Sequence, residues 1–201
     1  DQCNERDKDD EIPTSIIEEG ERIATIVKNL LSFARDRKEE YSLVHVSDIL
    51  ANTLTLAGIQ IKKDGIKFFL DVPVDLPKIK TRSQEIQQVF LNIISNARYA
   101  LNQRYPGFNE KKLLEIKCET TEVEGQKHVR TTFYDGGTGI PENVLDKISN
   151  PFFTTKPWRE GIGLGLSISH DIIKNHGGRL WFESAEGEFT KVIVDLPVDN
   201  G

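Results

Sequence analysis

Residues 135–169 read DGGTGIPENVLDKISNPFFTTKPWREGIGLGLSIS, and two glycine clusters in this stretch set the terms for the rest of the chain. Asp135 stands in the first cluster with Gly136, Gly137 and Gly139, while Gly161, Gly163 and Gly165 form the second at the entry to an apolar-periodic run. Glycine lets the backbone adopt positive φ and approach a ligand closely, and a helix start offers unpaired N–H groups to an anion. A phosphate-bearing ligand is the first expectation. Each cluster alone has a second reading, as a turn or helix entry that needs glycine for geometry. The spacing fits neither a dinucleotide fingerprint nor a P-loop, since no GxGxxG follows a strand and no GKS or GKT occurs.

Composition narrows the classes. With 201 residues, 37% hydrophobic and 29% charged, the chain has room for one globular domain and an appendage. It contains no apolar run of the roughly eighteen residues a membrane helix needs, so no membrane segment is expected. A net charge of -6 argues against a non-specific nucleic-acid surface. Cys3 and Cys118 have no metal-ligand partners nearby and read as inert thiols in a reducing compartment. The absence of Met and the start at Asp1 predict a piece of a longer protein, with a sensor region upstream.

Asp1 to Glu11 is polar and buries no face. From Ile12 to Ala34, Ile16, Ile23 and Leu30 repeat every seven residues, and Ile12, Ile26 and Phe33 mark a second row. That is a heptad seam on one long helix, packed either on its own domain or in an intermolecular bundle; the charged stretch ARDRKEEY after it reads as a linker and favours the bundle. Ser47 is expected to cap a helix reaching about Lys63, with Ile49, Leu50, Thr53, Leu54 and Ala57 on one face. A strand, IKFFLDV, and an extended piece at 78–80 follow. Thr81 and Gln84 form a capping-box pair before SQEIQQVFLNIISNARYALNQ, whose Ile86, Val89, Phe90, Ile93, Ile94, Ala97 and Leu101 keep the helical period. Asn92 and Asn96 stack four apart on a neighbouring face, where solvent exposure and a functional role are both open. Strands are expected at 113–119 and 128–134, then a short helix from Pro141, a loop over 150–161, a helix ending at His176-Gly177-Gly178, and the strands RLWFES and TKVIVDLP joined through Gly187. The sum is an α+β fold with a mixed, largely antiparallel sheet and helices on one face.

With these pieces in order, residues 80–197 resemble the ATP-binding catalytic domain of sensor histidine kinases, in the superfamily that includes gyrase, Hsp90 and MutL. Four boxes carry the resemblance: NIISN (92–96), DGGTG (135–139), PFFTTK (151–156) and GIGLGLSIS (161–169). The helix EEGERIATIVKNLLSFAR resembles the second helix of that family's dimerisation and phosphotransfer hairpin. The resemblance implies a two-layer α/β sandwich of the Bergerat type. It divides the chain into a partial dimerisation region, 1–38, with its helix at about 12–35, and an ATP-binding domain, 39–201.

The resemblance also implies roles. Asn96 would hold Mg²⁺ through its side-chain oxygen, and Asp135 would accept a hydrogen bond from the adenine amino group. Gly137 and Gly139 would pass close to the base, Gly161, Gly163 and Gly165 would wrap the phosphates, and Lys156 would meet the γ-phosphate, with Arg159 a weaker candidate. Thr190 would reach the adenine directly or through water. Tyr99, Ile140, Phe153, Thr155, Leu164 and Leu166 complete the expected nucleotide lining. Asn92 occupies the position that resembles a water-activating glutamate in the ATPase branches, and a neutral carboxamide cannot serve as a general base, which points to phosphoryl transfer over hydrolysis.

Two departures stand out. Many such kinases carry Lys or Arg three residues after the metal-binding Asn, where this chain has Tyr99, with Arg98 one earlier. No acceptor histidine followed by Glu or Asp precedes Ile12, and His45, His128, His170 and His176 read as structural or solvent-facing. The expectation is a cytoplasmic catalytic fragment of a two-component kinase. It would serve an acceptor helix absent from this chain, a homodimeric full-length protein, and the receiver domain of a response regulator in a phosphorelay. A nucleotide-gated dimerisation or interaction module is the alternative from another class, and a hydrolysing ATPase a third. Guanine presents an oxygen where adenine presents its amino group, so Asp135 predicts discrimination of about tenfold or more. In a competition titration GTP is expected to displace a bound adenine nucleotide at least that much less well than ATP; equal displacement would remove the assigned role.

Overall fold

The computed structural model describes residues 40–157 and 163–199. The chain divides into two units, Asp1–Lys38 and Glu39–Gly201, and the elements below belong to the second. The heptad seam expected from Ile12 lies outside the described residues.

In chain order the elements are β1 (Ser42–Val44), α1 (Val46–Lys63), β2 (Lys67–Asp71), β3 (Ile79–Thr81), α2 (Ser83–Arg104), β4 (Leu113–Val123), β5 (Gln126–Asp135), α3 (Glu142–Leu145), α4 (Gly165–Asn175), β6 (Arg179–Ala185) and β7 (Phe189–Pro197). Five strands form one sheet in the order β2-β4-β5-β7-β6. The β2–β4 pair is parallel and the other neighbours are antiparallel, so the sheet is mixed and largely antiparallel as the sequence predicts. β1 and β3 make a separate antiparallel pair, tied to the end of β7 by a bridge between Ile79 and Val198.

Local chemistry explains most boundaries. The β4–β5 hairpin turns at Glu124 (φ 53°) and Gly125 (φ 80°), the left-handed pair that matches strand twist. α1 stops where the Gly65 amide bonds the Lys62 carbonyl and the Ile66 amide bonds the Ile61 carbonyl. α4 stops in the same way, through Gly177 to Lys174 and Gly178 to Ile173. Both are Schellman ends.

The helix starts differ from expectation. α1 begins two residues earlier than a Ser47 cap allows, with His45 at the N-cap and no side-chain cap. α2 begins at Ser83 after Arg82, because Thr81 is drawn into the β1–β3 pair opposite Ser42. Its Oγ1 is buried without a hydrogen-bond partner, so the expected capping box does not form. Pro141 is the N-cap of α3, which is a single turn.

The core lies between the sheet and helices on one face. All seven apolar residues expected on α2, Ile86, Val89, Phe90, Ile93, Ile94, Ala97 and Leu101, are buried. They meet the inward row of the sheet, with Phe90 and Phe133 ring centroids 5.2 Å apart. On α1, Ile49, Leu50, Thr53 and Ala57 are buried, and Leu54 packs partly buried against the same cluster. Lys112, buried beside this layer, is paired: its ammonium donates to the Asp64 carbonyl at 3.0 Å and to Asn102 Oδ1 at 2.7 Å.

The histidines serve the fold. His176 Nε2 accepts from the Arg82 amide (3.2 Å), which leaves Nδ1 to donate to the Ile172 carbonyl (2.8 Å). His128 is buried with Nδ1 on the Gln126 carbonyl, and His45 Nδ1 meets the Leu76 carbonyl. His170 is exposed on α4.

Candidate functional site

With the apolar stripe of α2 against the sheet, the helical period turns Asn92, Asn96 and Tyr99 onto an adjoining face, each partly exposed. Asn92 faces the start of α4, where its Nδ2 donates to the Gly165 carbonyl and to Ser169 Oγ, both at 3.2 Å. It therefore ties two helices together as well as standing at the site. Asn96 faces the loop after α3. Its Oδ1 accepts from the Lys156 ammonium at 2.8 Å, and the same ammonium lies 4.5 Å from the centre of the Tyr99 ring.

Arg98 points elsewhere. Its guanidinium grips Asp64 at the end of α1, with Nε at 2.8 Å and Nη2 at 2.7 Å from Oδ2. Of the two candidates for the missing basic contact, Arg98 is thus committed to the fold, and Tyr99 is the one beside the loop cation.

Asp135 ends β5 on the inward face and is 4% exposed. Thr190 stands directly across from it on β7 and is also buried. The Asp135 Oδ1 accepts from the Gly137 amide at 2.9 Å. Burial drives the carboxyl pKa up to about 7, and that amide bond pulls only partly against it.

The first glycine cluster serves the protein's own packing. A Cβ on Gly137 would lie 2.5 Å from Asp135 Oδ1 and 2.6 Å from the Ala100 Cβ, so glycine lets the loop close onto α2. Gly139 (φ 65°) would bring a Cβ within 2.0 Å of the Ala185 carbonyl oxygen at the β6–β7 turn. Contact with α2 and with that turn thus gives these two glycines a packing reason of their own.

Two residues that the motif pattern does not mark hold this loop. Arg104 Nη1 lies 3.0 Å from the Gly136 and Gly137 carbonyl oxygens and 2.6 Å from that of Glu188. Ser184 Oγ accepts from the Ile140 amide at 2.8 Å, donates to the Phe189 carbonyl and sits 3.3 Å from Thr190 Oγ1. The Gly187 amide closes the same turn onto the Thr138 carbonyl at 2.7 Å.

At the second cluster, the Gly163 carbonyl (φ 73°) accepts from the Phe152 amide at 2.9 Å, and Phe152 itself has φ 66° and an exposed ring. Phe153 is half-buried and Thr155 exposed, while the Lys156 amide is held by Thr154 Oγ1. Leu164 is buried at the N-cap of α4 and no side chain caps that helix start; Gly165 and Leu166 open its first turn, half-buried. Trp158, Arg159 and Gly161 lie outside the described residues.

The described residues offer a metal a hard oxygen donor. No cluster of three or more His, Cys, Asp or Glu side chains occurs among the described residues, so a transition-metal cage is not built from them. Asn96 Oδ1 is a hard, neutral oxygen that already receives a cation, which fits a Mg²⁺ ion held mainly by phosphate and water. No helix among the described residues is long and apolar enough to cross a membrane.

The profile of the histidine kinase-, DNA gyrase B-, and HSP90-like ATPase family matches residues 81–200. Sporulation kinase E of Bacillus subtilis (strain 168) is 33% identical over 183 residues, which cover 91% of this chain and 23% of that protein. The chain thus spans less than a quarter of the length of that curated relative. The catalytic domain of histidine kinase ThkA superposes with a TM-score of 0.66 at 30% identity, covering 79% of this chain and 95% of that one. ThkA in complex with the response regulator protein TrrA gives a TM-score of 0.70 at 28% identity, covering 99% of this chain and 53% of that one.

The buried Asp135 makes stability depend on pH. Its folded pKa, about 7, lies above the ordinary carboxylate value of 3.8, so the native state holds the proton more tightly and loses stability as pH rises between the two. Asp135→Asn removes that loss. Denaturant unfolding is expected to show the variant gaining on the wild type from about pH 4 to pH 7, by up to about 4 kcal/mol, with a constant gap above. A gap that is flat across that range would contradict the assignment.

Proposed function

The chain belongs to the histidine kinase-, DNA gyrase B-, and HSP90-like ATPase family, and from that premise we propose that it is the catalytic part of a two-component sensor histidine kinase. Its described domain is of the histidine kinase catalytic type. In this reading it binds MgATP and passes the γ-phosphoryl group to a histidine on a helix outside this chain. The longer protein works in the cytoplasm as a homodimer through a hairpin whose second helix is residues 12–35, with 1–38 the partial dimerisation region and 39–201 the ATP-binding domain. The phosphoryl group then moves to an aspartate of a response-regulator receiver domain; the complex of ThkA with TrrA supports a partner of that kind.

The observation that carries the reading is the Asn96–Lys156 contact, a neutral oxygen holding a cation on the same helix face as Asn92. Mg²⁺, when bound, supplies neutralisation of phosphate charge. Asn96 would hold it through Oδ1. Asp135, facing Thr190 across the strand pair, would accept from the adenine amino group, and its burial removes competition from water. The amides at the start of α4 and the ammonium of Lys156 would receive the phosphates. Asn92 has no proton-accepting group to activate water, and it braces the phosphate-facing end of α4 through Gly165 and Ser169. In the transfer, a bond forms from the acceptor imidazole nitrogen to phosphorus as the bond from phosphorus to the bridging oxygen breaks, and ADP leaves.

The chain, ATP labelled at the γ-position, Mg²⁺ and a separate hairpin bearing the acceptor histidine test this directly. Label is expected on the hairpin in an acid-labile, alkali-stable form, and Asp135→Asn is expected to weaken nucleotide binding at least about tenfold and abolish the labelling at limiting ATP. Multiple turnovers of phosphate release without labelled histidine would contradict the proposal in favour of an ATPase. MgATP-dependent self-association with no labelling would favour the interaction module.

A further inference from the structure

Asn96, Tyr99 and Gln103 lie at i, i+3 and i+7 along α2, one above another on the same face. Gln103 Nε2 donates to the Tyr99 hydroxyl at 2.9 Å, which sets the ring's orientation. Over that ring, 4.5 Å from its centre, stands the Lys156 ammonium, which donates to Asn96 Oδ1 at 2.8 Å. A lysine is a point charge on a flexible four-carbon stem, so its position depends on what restrains the tip. An amide oxygen and an aromatic face restrain this one together.

We propose that Tyr99 is a positioning residue that seats the Lys156 ammonium beside Asn96, both while the ammonium occupies Oδ1 and after that oxygen turns to a metal ion. The inference rests on the MgATP reading above. A metal ion on Oδ1 would stand within about 4 Å of the ammonium and repel it, so Lys156 is pushed off the oxygen when it becomes a metal ligand. The ring supplies a second attraction a few ångströms away, directed at any cation above its face. Lys156 then pivots on Tyr99 and its charge stays at the phosphate end of the site. Removing the ring removes that pivot. Tyr99 thus supplies, through a borrowed cation, the positive charge that its own side chain lacks.

The test is a double-substitution cycle read by calorimetry with MgAMPPNP on the whole chain. Tyr99→Leu and Lys156→Met are each expected to weaken binding about 5- to 10-fold, and the double variant no further than the weaker single one, because each removes the same restraint. Tyr99→Phe keeps the ring and is expected to keep most of the affinity. Ring-current shifts give a second readout: the Lys156 ε-protons are expected upfield in the wild type, with and without MgAMPPNP, and at ordinary positions in Tyr99→Leu. Losses that multiply in the double variant, or ε-protons that lose their upfield shift once nucleotide is bound, would overturn the role of Tyr99. A wild-type chain that binds no MgAMPPNP would overturn the nucleotide reading beneath it.

Discussion

Seven apolar side chains of α2, from Ile86 to Leu101, are buried against the sheet, and that burial decides where every polar residue on the helix can point. Each of the six larger ones contributes about 1.5–3 kcal/mol when withdrawn from water, against roughly 1 kcal/mol for a single hydrogen bond. The stripe therefore sets the rotation of α2, and the polar contacts adjust within it. Asn92 is turned to α4, Asn96 and Tyr99 to the loop before it, and Arg104 to the glycine loop after β5. One helix thus organises three segments that lie 32, 60 and 73 positions from their partners on it.

The same geometry gives the glycine clusters their meaning. Gly137 and Gly139 close the loop after β5 onto Ala100 and onto the Ala185 carbonyl, and this closure holds the Asp135 carboxyl group in a buried position opposite Thr190. A carboxyl group kept there at a cost in stability points to a use, since an apolar residue of like size would serve the core better. Recognition of a base is the use we propose for it, with Lys156 and Asn96 at the phosphate end.

What the sequence discloses follows the range of the forces involved. The period of α2 and its buried residues are legible because they depend on neighbours three and four residues apart, and the sheet's mixed character because strand and helix signals alternate. The Ser47 and Thr81 caps mislead because a distant pairing decides this corner of the fold: Thr81 enters a strand with Ser42, and the Arg82 amide goes to His176. β1 carries no signal beyond three residues in a charged setting. The four motif boxes mark Asn92, Asn96, Asp135 and Lys156, but no local pattern joins Arg104 to Glu188 or Ser184 to Ile140, contacts that span 84 and 44 positions. Tyr99 stands out in the sequence as a departure, and its partner becomes visible only with the loop in place.

The function we propose turns on a change of partner at Asn96 Oδ1, from the Lys156 ammonium to a nucleotide-borne metal ion, while Asp135 would receive the base. A crystal structure of the chain with MgAMPPNP tests it most directly. The metal is expected at about 2.1 Å from Asn96 Oδ1, Lys156 withdrawn from that oxygen, and the adenine amino group on the Asp135 carboxylate. Lys156 still bonded to Asn96 with the metal held elsewhere, or a base bound away from Asp135, would contradict it.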